Sequence, residues 1–440
     1  MRSGRLVEAG TEEGILNMRG GKPSAEENLA GQGSPCGLTW PITTCWMYFM
    51  SIALCAPALP SMANKIARSD GKGTVSAEGV RLYGTLTSID QAFTVLFTKL
   101  WGSYSDVIGR KPLMLFSAAG LAVGWATVVK AAENKNMALL YFGRMLDGIT
   151  SCMQPICQSA VQDVSAPEQL KANFGILLGL AVGGAFILGA MMGGIITSIK
   201  GPELVMATAS LVSAVNFFVT LFFAPETLPP HKRMAKVQWK EANPFGAMEI
   251  LTRDLVTAGA AASYLLIWTA LNGQQTNLFS YVEYRYGWDR TRGAMLQAQV
   301  GLVLALSQSL APKYLSPYLS TSNIIQLGLF LYLVSGIIMG LAPNGLVFTG
   351  GALLSAVGCM AIPVLMSVVA SRAPPGKSGA MLSALETGLT LDRVLAFKSM
   401  ASLFAWGMKK SIPGVFHYVG STCCLLAMLV MTMISKEVDR

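Results

Sequence analysis

The chain has 440 residues, of which 52% are hydrophobic and only 13% charged, about half the charged share of soluble domains, roughly 25%. A mean hydropathy of +0.49 excludes a soluble globular fold and points to a lipid solvent. The net charge of +9 would suggest nucleic acid in a soluble protein, but the 33 Lys and Arg gather in the gaps between apolar segments and read as topology-setting charge, so no nucleic-acid partner is expected.

Residues 1–37 are polar, rich in Gly and Glu, and read as a disordered cytosolic tail rather than a signal peptide. A spanning helix needs about 20 apolar residues, and twelve segments qualify, near 39–62, 81–101, 112–132, 137–161, 173–197, 203–224, 254–280, 293–311, 322–341, 346–370, 379–406 and 414–434. They are too long and too uniformly apolar for barrel strands, so the expected fold is an all-α membrane protein. The polar stretch 229–253, with His231, Lys232, Arg233, Lys236 and Lys240, divides them into two six-helix bundles, 38–228 and 254–434, with a short tail at 435–440. Placing both termini in the cytosol puts the larger share of Lys and Arg on that side. Which membrane holds the chain is not legible.

Seven of the eight cysteines lie inside apolar segments and behave as small hydrophobes; the eighth, Cys36, is in the tail. With only two histidines, His231 and His417, and no zinc-ligand spacing, no metal site is expected. There is no phosphate loop of the G-x-x-x-x-G-K-S/T type and no nucleophile, base and metal at one depth. Neither an enzyme nor a cofactor is expected, and any driving force is a gradient.

In chain order, the second segment carries Asp90 near its middle, with no basic residue within a turn. Gly102, Asp106, Gly109, Arg110 and Lys111 follow where it gives way to the third: Gly102 suits close backbone approach, Asp106 can meet the positive end of a neighbouring helix, and the basic pair can hold anions. The fourth segment carries Arg144, Asp147, Ser151, Gln154 and Gln158 at steps of three and four, within about 80° of one another on one helix. Such a stripe faces either a solute path or a hydrogen-bonded seam. Arg144 and Asp147, three apart, can pair, which makes Asp147 a switchable proton carrier. The fifth segment has Gly189, Gly193 and Gly194 for close packing. The seventh sets Asn272, Gln274, Gln275, Thr276 and Asn277 around Gly273, either cavity lining or interhelix glue; Gln297 and Gln308 of the eighth add a weaker hint. The eleventh is interrupted by Glu386, Asp392, Arg393 and Lys398, which form a paired network or mark a partly unwound segment.

The Gly102–Lys111 run resembles the G-x-x-x-D-x-x-G-R-R/K loop of the major facilitator superfamily. Arg144, Asp147 and Gly148 resemble its R-x-x-Q-G element, with Asp147 in the glutamine place. Gly189, Gly193 and Gly194 resemble the antiporter G-P-x-x-G-G, with Ala190 replacing proline. Pro225, Glu226, Thr227 and Pro229 match its P-E-T-x-P, and Pro57 to Pro60 its P-x-L-P. The tetracycline-type and multidrug proton antiporters are the branch most similar. The resemblance implies two rocking bundles, helices one, four, seven and ten around a central cavity, and a gating latch in which Asp106 docks near Ser378 while Arg110 bridges to Asp163. The echo of this loop in the second half, Pro312–Ser322, has neither acid nor arginine.

The function expected is secondary transport of a small organic solute by alternating access, as proton-coupled antiport, with the chain working as a monomer. Proton-coupling candidates are Asp90, Asp147, Arg144, Glu386 and Asp392; cavity candidates are Ser151, Gln154, Gln158, Asn272, Gln274, Gln275 and Asn277. The first segment lacks the acid common in the antiporter branch. Facilitated diffusion, symport, and a transport-inactive receptor or scaffold are the alternatives.

Overall fold

The computed structural model describes residues 35–67, 75–166, 169–237, 248–373 and 378–439. Residues 1–34 of the expected tail and 238–247 of the expected linker therefore lie outside the described residues. Twelve long helices follow one another: α1 (Pro35–Ala67), α2 (Ala77–Ile108), α3 (Arg110–Glu133), α4 (Met137–Thr150, resuming as Met153–Val164), α5 (Leu170–Ile176, passing through the π-helical stretch Leu177–Gly184 into Ala185–Lys200), α6 (Pro202–Phe223), α7 (Leu255–Tyr286), α8 (Arg290–Leu315), α9 (Thr321–Leu341), α10 (Gly345–Gly358, resuming as Ala361–Ser371), α11 (Ser378–Lys409) and α12 (Val415–Val438). Among the described residues, nine are long and apolar enough to cross a membrane. The other three, α2, α4 and α11, are the helices that carry the membrane-depth charges or a break.

Each half has its own core. Leu54, Met62, Leu86, Leu121, Leu140 and Ile156 belong to the first, and Tyr264, Ile267, Leu329, Leu365, Leu385 and Met431 to the second. Helices in lipid gain nothing by merely being apolar, so close approach through small residues decides their packing. The α5 glycines supply it: a Cβ on Gly189 would lie 2.6 Å from that of Ala53, and one on Gly193 would fall on the Leu54 carbonyl oxygen, both on α1.

The two halves share backbone devices. A proline cannot donate to the carbonyl four residues back, so Pro155 frees the Ser151 carbonyl, while at Pro363 the Cys359 carbonyl accepts from Ile362 N–H instead (3.1 Å); α4 and α10, equivalent helices of the two halves, break at these places. Acids leaving the last helix of each half hold equivalent helix starts. Glu226, just after α6, accepts from the amides of Arg110 (2.8 Å) and Lys111 (3.2 Å) at the start of α3. Asp439, just after α12, accepts from the Ser322 amide at the start of α9 (2.8 Å). The loop before α9, residues 316–320, carries no charge, yet the helix end is still capped.

The bundles meet on the side away from the linker. There Gly194 of α5 brings α8 so close that a Cβ would sit 2.7 Å from that of Ala294 and 2.8 Å from the Arg290 oxygen. Thr291 and Ser198 share a hydrogen bond (3.2 Å), Lys409 pairs with Glu78 (3.5 Å), and Ser88 donates to the Val394 carbonyl (2.5 Å). A mixed core of Val75 and Val80 with Leu278, Tyr281, Phe348 and Phe404 seals this end. Among the described residues, Ser88 and Val394 are the last such polar contact toward the linker side, where the bundles part.

Candidate functional site

Arg144 sits at the centre of a buried charge cluster. Its Nη1 donates to Asp147 Oδ2 (2.5 Å), one turn along α4, and its Nη2 lies 3.0 Å from Asp90 Oδ2 on α2. Its guanidinium stacks over the Trp125 ring of α3, 5.0 Å from the centroid. All three charged side chains are at most 15% exposed. Asp90 is therefore not the isolated acid that its sequence neighbours suggest. Its base comes from another helix, and Gly148 allows that meeting: a Cβ there would fall on the Asp90 carbonyl oxygen, so only glycine lets α4 lie against α2. With every group ionised the cluster carries one net negative charge, and one proton neutralises it.

Below this cluster α4 is broken, so the stripe expected on one continuous helix is divided between two segments. Carbonyls released at the break are taken by α2: Thr98 Oγ1 donates to the Ser151 oxygen (2.9 Å) and Trp101 Nε1 to that of Ile149 (2.6 Å). Arg144 and Asp147 are buried on the first segment. Ser151, Gln154 and Gln158 are half-buried at the break and on the second.

The amides of α7 are mostly committed to neighbours. Gln274 donates to Ser355 of α10 (3.2 Å) and accepts from Tyr332 of α9 (3.0 Å). Asn277 donates to the carbonyls of Gly273 and Met400. Asn272 donates to Asp392 of α11 (2.9 Å), which also accepts from Thr269 (2.5 Å). Gln274, Asn277 and Asn272 are thus buried in interhelix seams, and Gln275 is exposed. No unwinding occurs at the α11 charges: the helix is continuous from Ser378 to Lys409. Glu386 and Lys398 are exposed on it, and Arg393 stacks over Trp268 of α7, 5.5 Å from the centroid.

At the linker end, most of the run from Gly102 to Arg110 is helix, and the turn between α2 and α3 is the single residue Gly109. Its φ of +107° belongs to glycine, and a Cβ there would collide with the Glu226 carboxylate. Gly102 does not mediate close approach: nothing lies within 4 Å of where its Cβ would be. Arg110 Nη1 donates to Asp106 Oδ1 (2.6 Å) and Ser105 Oγ (2.6 Å), and Nε donates to Asp163 Oδ2 (3.0 Å). Asp106 is therefore bound within its own bundle here, and the Ser378 side chain lies outside the described residues. Changing Asp106 to Asn should leave this arrangement standing, because Arg110 keeps Asp163. Transport should still fall severalfold, since a partly buried charge at a helix end contributes roughly 1–2 kcal/mol to the state closed on the linker side; full transport in liposomes would refute the latch.

Trp125, Trp268, Thr269 and Glu226 all touch candidate residues, and only Glu226 had a motif to announce it. Among the described residues no group of His, Cys, Asp and Glu could hold a metal ion.

Residues 42–397 match the family model described as Major Facilitator Superfamily. The chain is similar to the class D tetracycline resistance protein of Salmonella ordonez, with 26% identity over 88% of this chain and 94% of the relative. It is also similar to the major facilitator superfamily domain-containing protein 10 of Bos taurus, with 25% identity over 73% of this chain and 72% of the relative. Among solved structures, the human organic anion transporter MFSD10 (TETRAN) shares the fold with a TM-score of 0.66 at 20% identity, covering 90% of this chain and 98% of that one. A bacterial homologue of the iron transporter ferroportin in an inward-facing state gives 0.70 at 15%, covering 92% and 99%.

Proposed function

The chain belongs to the major facilitator superfamily and is an integral, multi-pass membrane transporter; from that premise we propose that it exchanges a small organic solute for protons by alternating access, in the direction of efflux. The observation that carries this reading is the buried cluster of Arg144 between Asp90 and Asp147. Two carboxylates on one guanidinium leave a charge that a single proton cancels, and charge at membrane depth is costly unless it has a task. Protonating Asp90 loosens its hold on Arg144 and with it the contact between α2 and α4, whereas protonating Asp147 frees Arg144 only within α4. The bundles share an interface that can exchange one end for the other: they are joined here through Gly194 and Ser88 and parted where Gln154 and Gln158 are half-buried. Gly102, Asp106, Gly109, Arg110, Lys111 and Asp163 form the latch of the opposite state.

Facilitated diffusion is the competing reading, because α1 contains no acid from Pro35 to Ala67. Purified protein in liposomes separates the two. Tetracycline, suggested by the relatives, and a naphthalenesulfonate should accumulate in acid-loaded vesicles several times above the level reached at equal pH. Equal rates and levels under both conditions would favour diffusion.

A further inference from the structure

We infer that Arg393, held on Trp268, is the counter-charge for an anionic group of the transported solute, so that the C-terminal half of the cavity is an organic-anion subsite. The inference rests on the transport reading above and adds the class of solute. Asp392 is turned to α7, where Thr269 and Asn272 hold it. Val394 is turned to α2, where its carbonyl accepts from Ser88. At about 100° per residue, Arg393 lies between them, on the face toward the divide between the bundles. Leu395, about 200° further round, is 71% exposed on the opposite side.

The adjacent carboxylate is thus already spent, and among the described residues Arg393 makes no ion pair. Glu386 shares its face, since seven residues bring a helix round to within about 20°, but it stands two turns, roughly 10 Å, nearer the linker side. The Ser88–Val394 bond is the last polar contact between the bundles among the described residues, so Arg393 is at the floor of the parted region. The Arg393 guanidinium lies over the Trp268 ring, 5.5 Å from its centroid, and with no ion pair among the described residues its N–H groups remain to meet a carboxylate or sulfonate in bidentate fashion. Arg144 offers nothing comparable, being clamped by two acids.

Three probes of one shape test this: a naphthalenesulfonate, the matching sulfonamide, and a naphthyl trimethylammonium, followed into liposomes containing the full chain. The wild type should prefer the sulfonate. R393Q should raise the sulfonate KM about 10- to 100-fold, as expected for loss of a hydrogen-bonded charge partner, with kcat nearly unchanged and the other two probes unaffected. R393K, which keeps charge without the fork, should recover part of the affinity. If R393Q does not fold, Trp268→Phe supplies the second variant and should raise the sulfonate KM alone. A wild-type preference for the ammonium or the sulfonamide, or an R393Q that shifts all three probes alike, overturns the subsite while leaving transport intact. Sulfonate preference that depends on Arg393 but ignores the pH gradient supports the subsite and instead overturns proton coupling.

Discussion

Replacing Arg144 by glutamine is expected to abolish gradient-driven transport, by at least about 100-fold, and to lower thermal stability in detergent. Removing one partner of a buried ion pair costs roughly 3–5 kcal/mol, and here two carboxylates, Asp90 and Asp147, would be left facing each other without their shared base. A lysine at 144 would restore charge but can neither reach both acids through separate nitrogens nor stack as a plane over Trp125, so it should recover little. Asp147→Asn is expected to be milder, because Arg144 keeps Asp90; read from α4 alone, that substitution would have stranded the arginine. The double change of Arg144 to Gln and Asp147 to Asn should be more stable than Arg144→Gln by itself, since it removes one of the two uncompensated acids. Thermal unfolding of the four variants, with uptake measured in parallel, checks the series.

The second large effect concerns two adjacent glycines. Gly193→Ala would drive a methyl group into the backbone of α1 at Leu54, which has no side-chain freedom with which to yield. Overpacking of this kind costs about 1–3 kcal/mol, so the variant should melt lower and yield less folded protein. Gly194→Ala instead meets Ala294 and the Arg290 carbonyl on α8, in the other bundle. Its cost is borne only where the bundles touch, so stability should be near wild type while the side away from the linker opens more readily. A cysteine placed at Ser88 should then react faster with an aqueous thiol reagent in the Gly194→Ala background. Equal reactivity would show that this contact does not hold that side closed.

The sequence was a good guide wherever the relevant physics is local. All twelve helices, the six-and-six division and the small-residue face of α5 follow from apolar length, one polar interruption and glycine spacing. Pairing between distant segments was illegible: nothing near Asp90 announces Arg144, because Gly148 brings the two helices together through the absence of a side chain. The breaks in α4 and α10 were written in Pro155 and Pro363, but a proline inside a long apolar run does not say whether neighbours will donate to the freed carbonyls; at the α4 break Thr98 and Trp101 do. The α7 amides were ambiguous for the same reason. Gln274 could have faced a solute as easily as Ser355 and Tyr332, and only the positions of α9 and α10 decide between them. Asp439 shows the reverse case, a capping role that no local motif announces.

Proton movement and solute exchange in the same liposomes, compared between wild type and Asp90→Asn, test the coupling role of the charge cluster most directly. The wild type should release protons from acid-loaded vesicles as solute enters, followed with a pH dye in the lumen. Asp90→Asn should lose that signal and the accumulation it drives, while labelled solute still exchanges across the membrane at equal pH, because exchange moves no net proton and Arg144 retains Asp147. Full solute-driven proton release by Asp90→Asn would contradict the account.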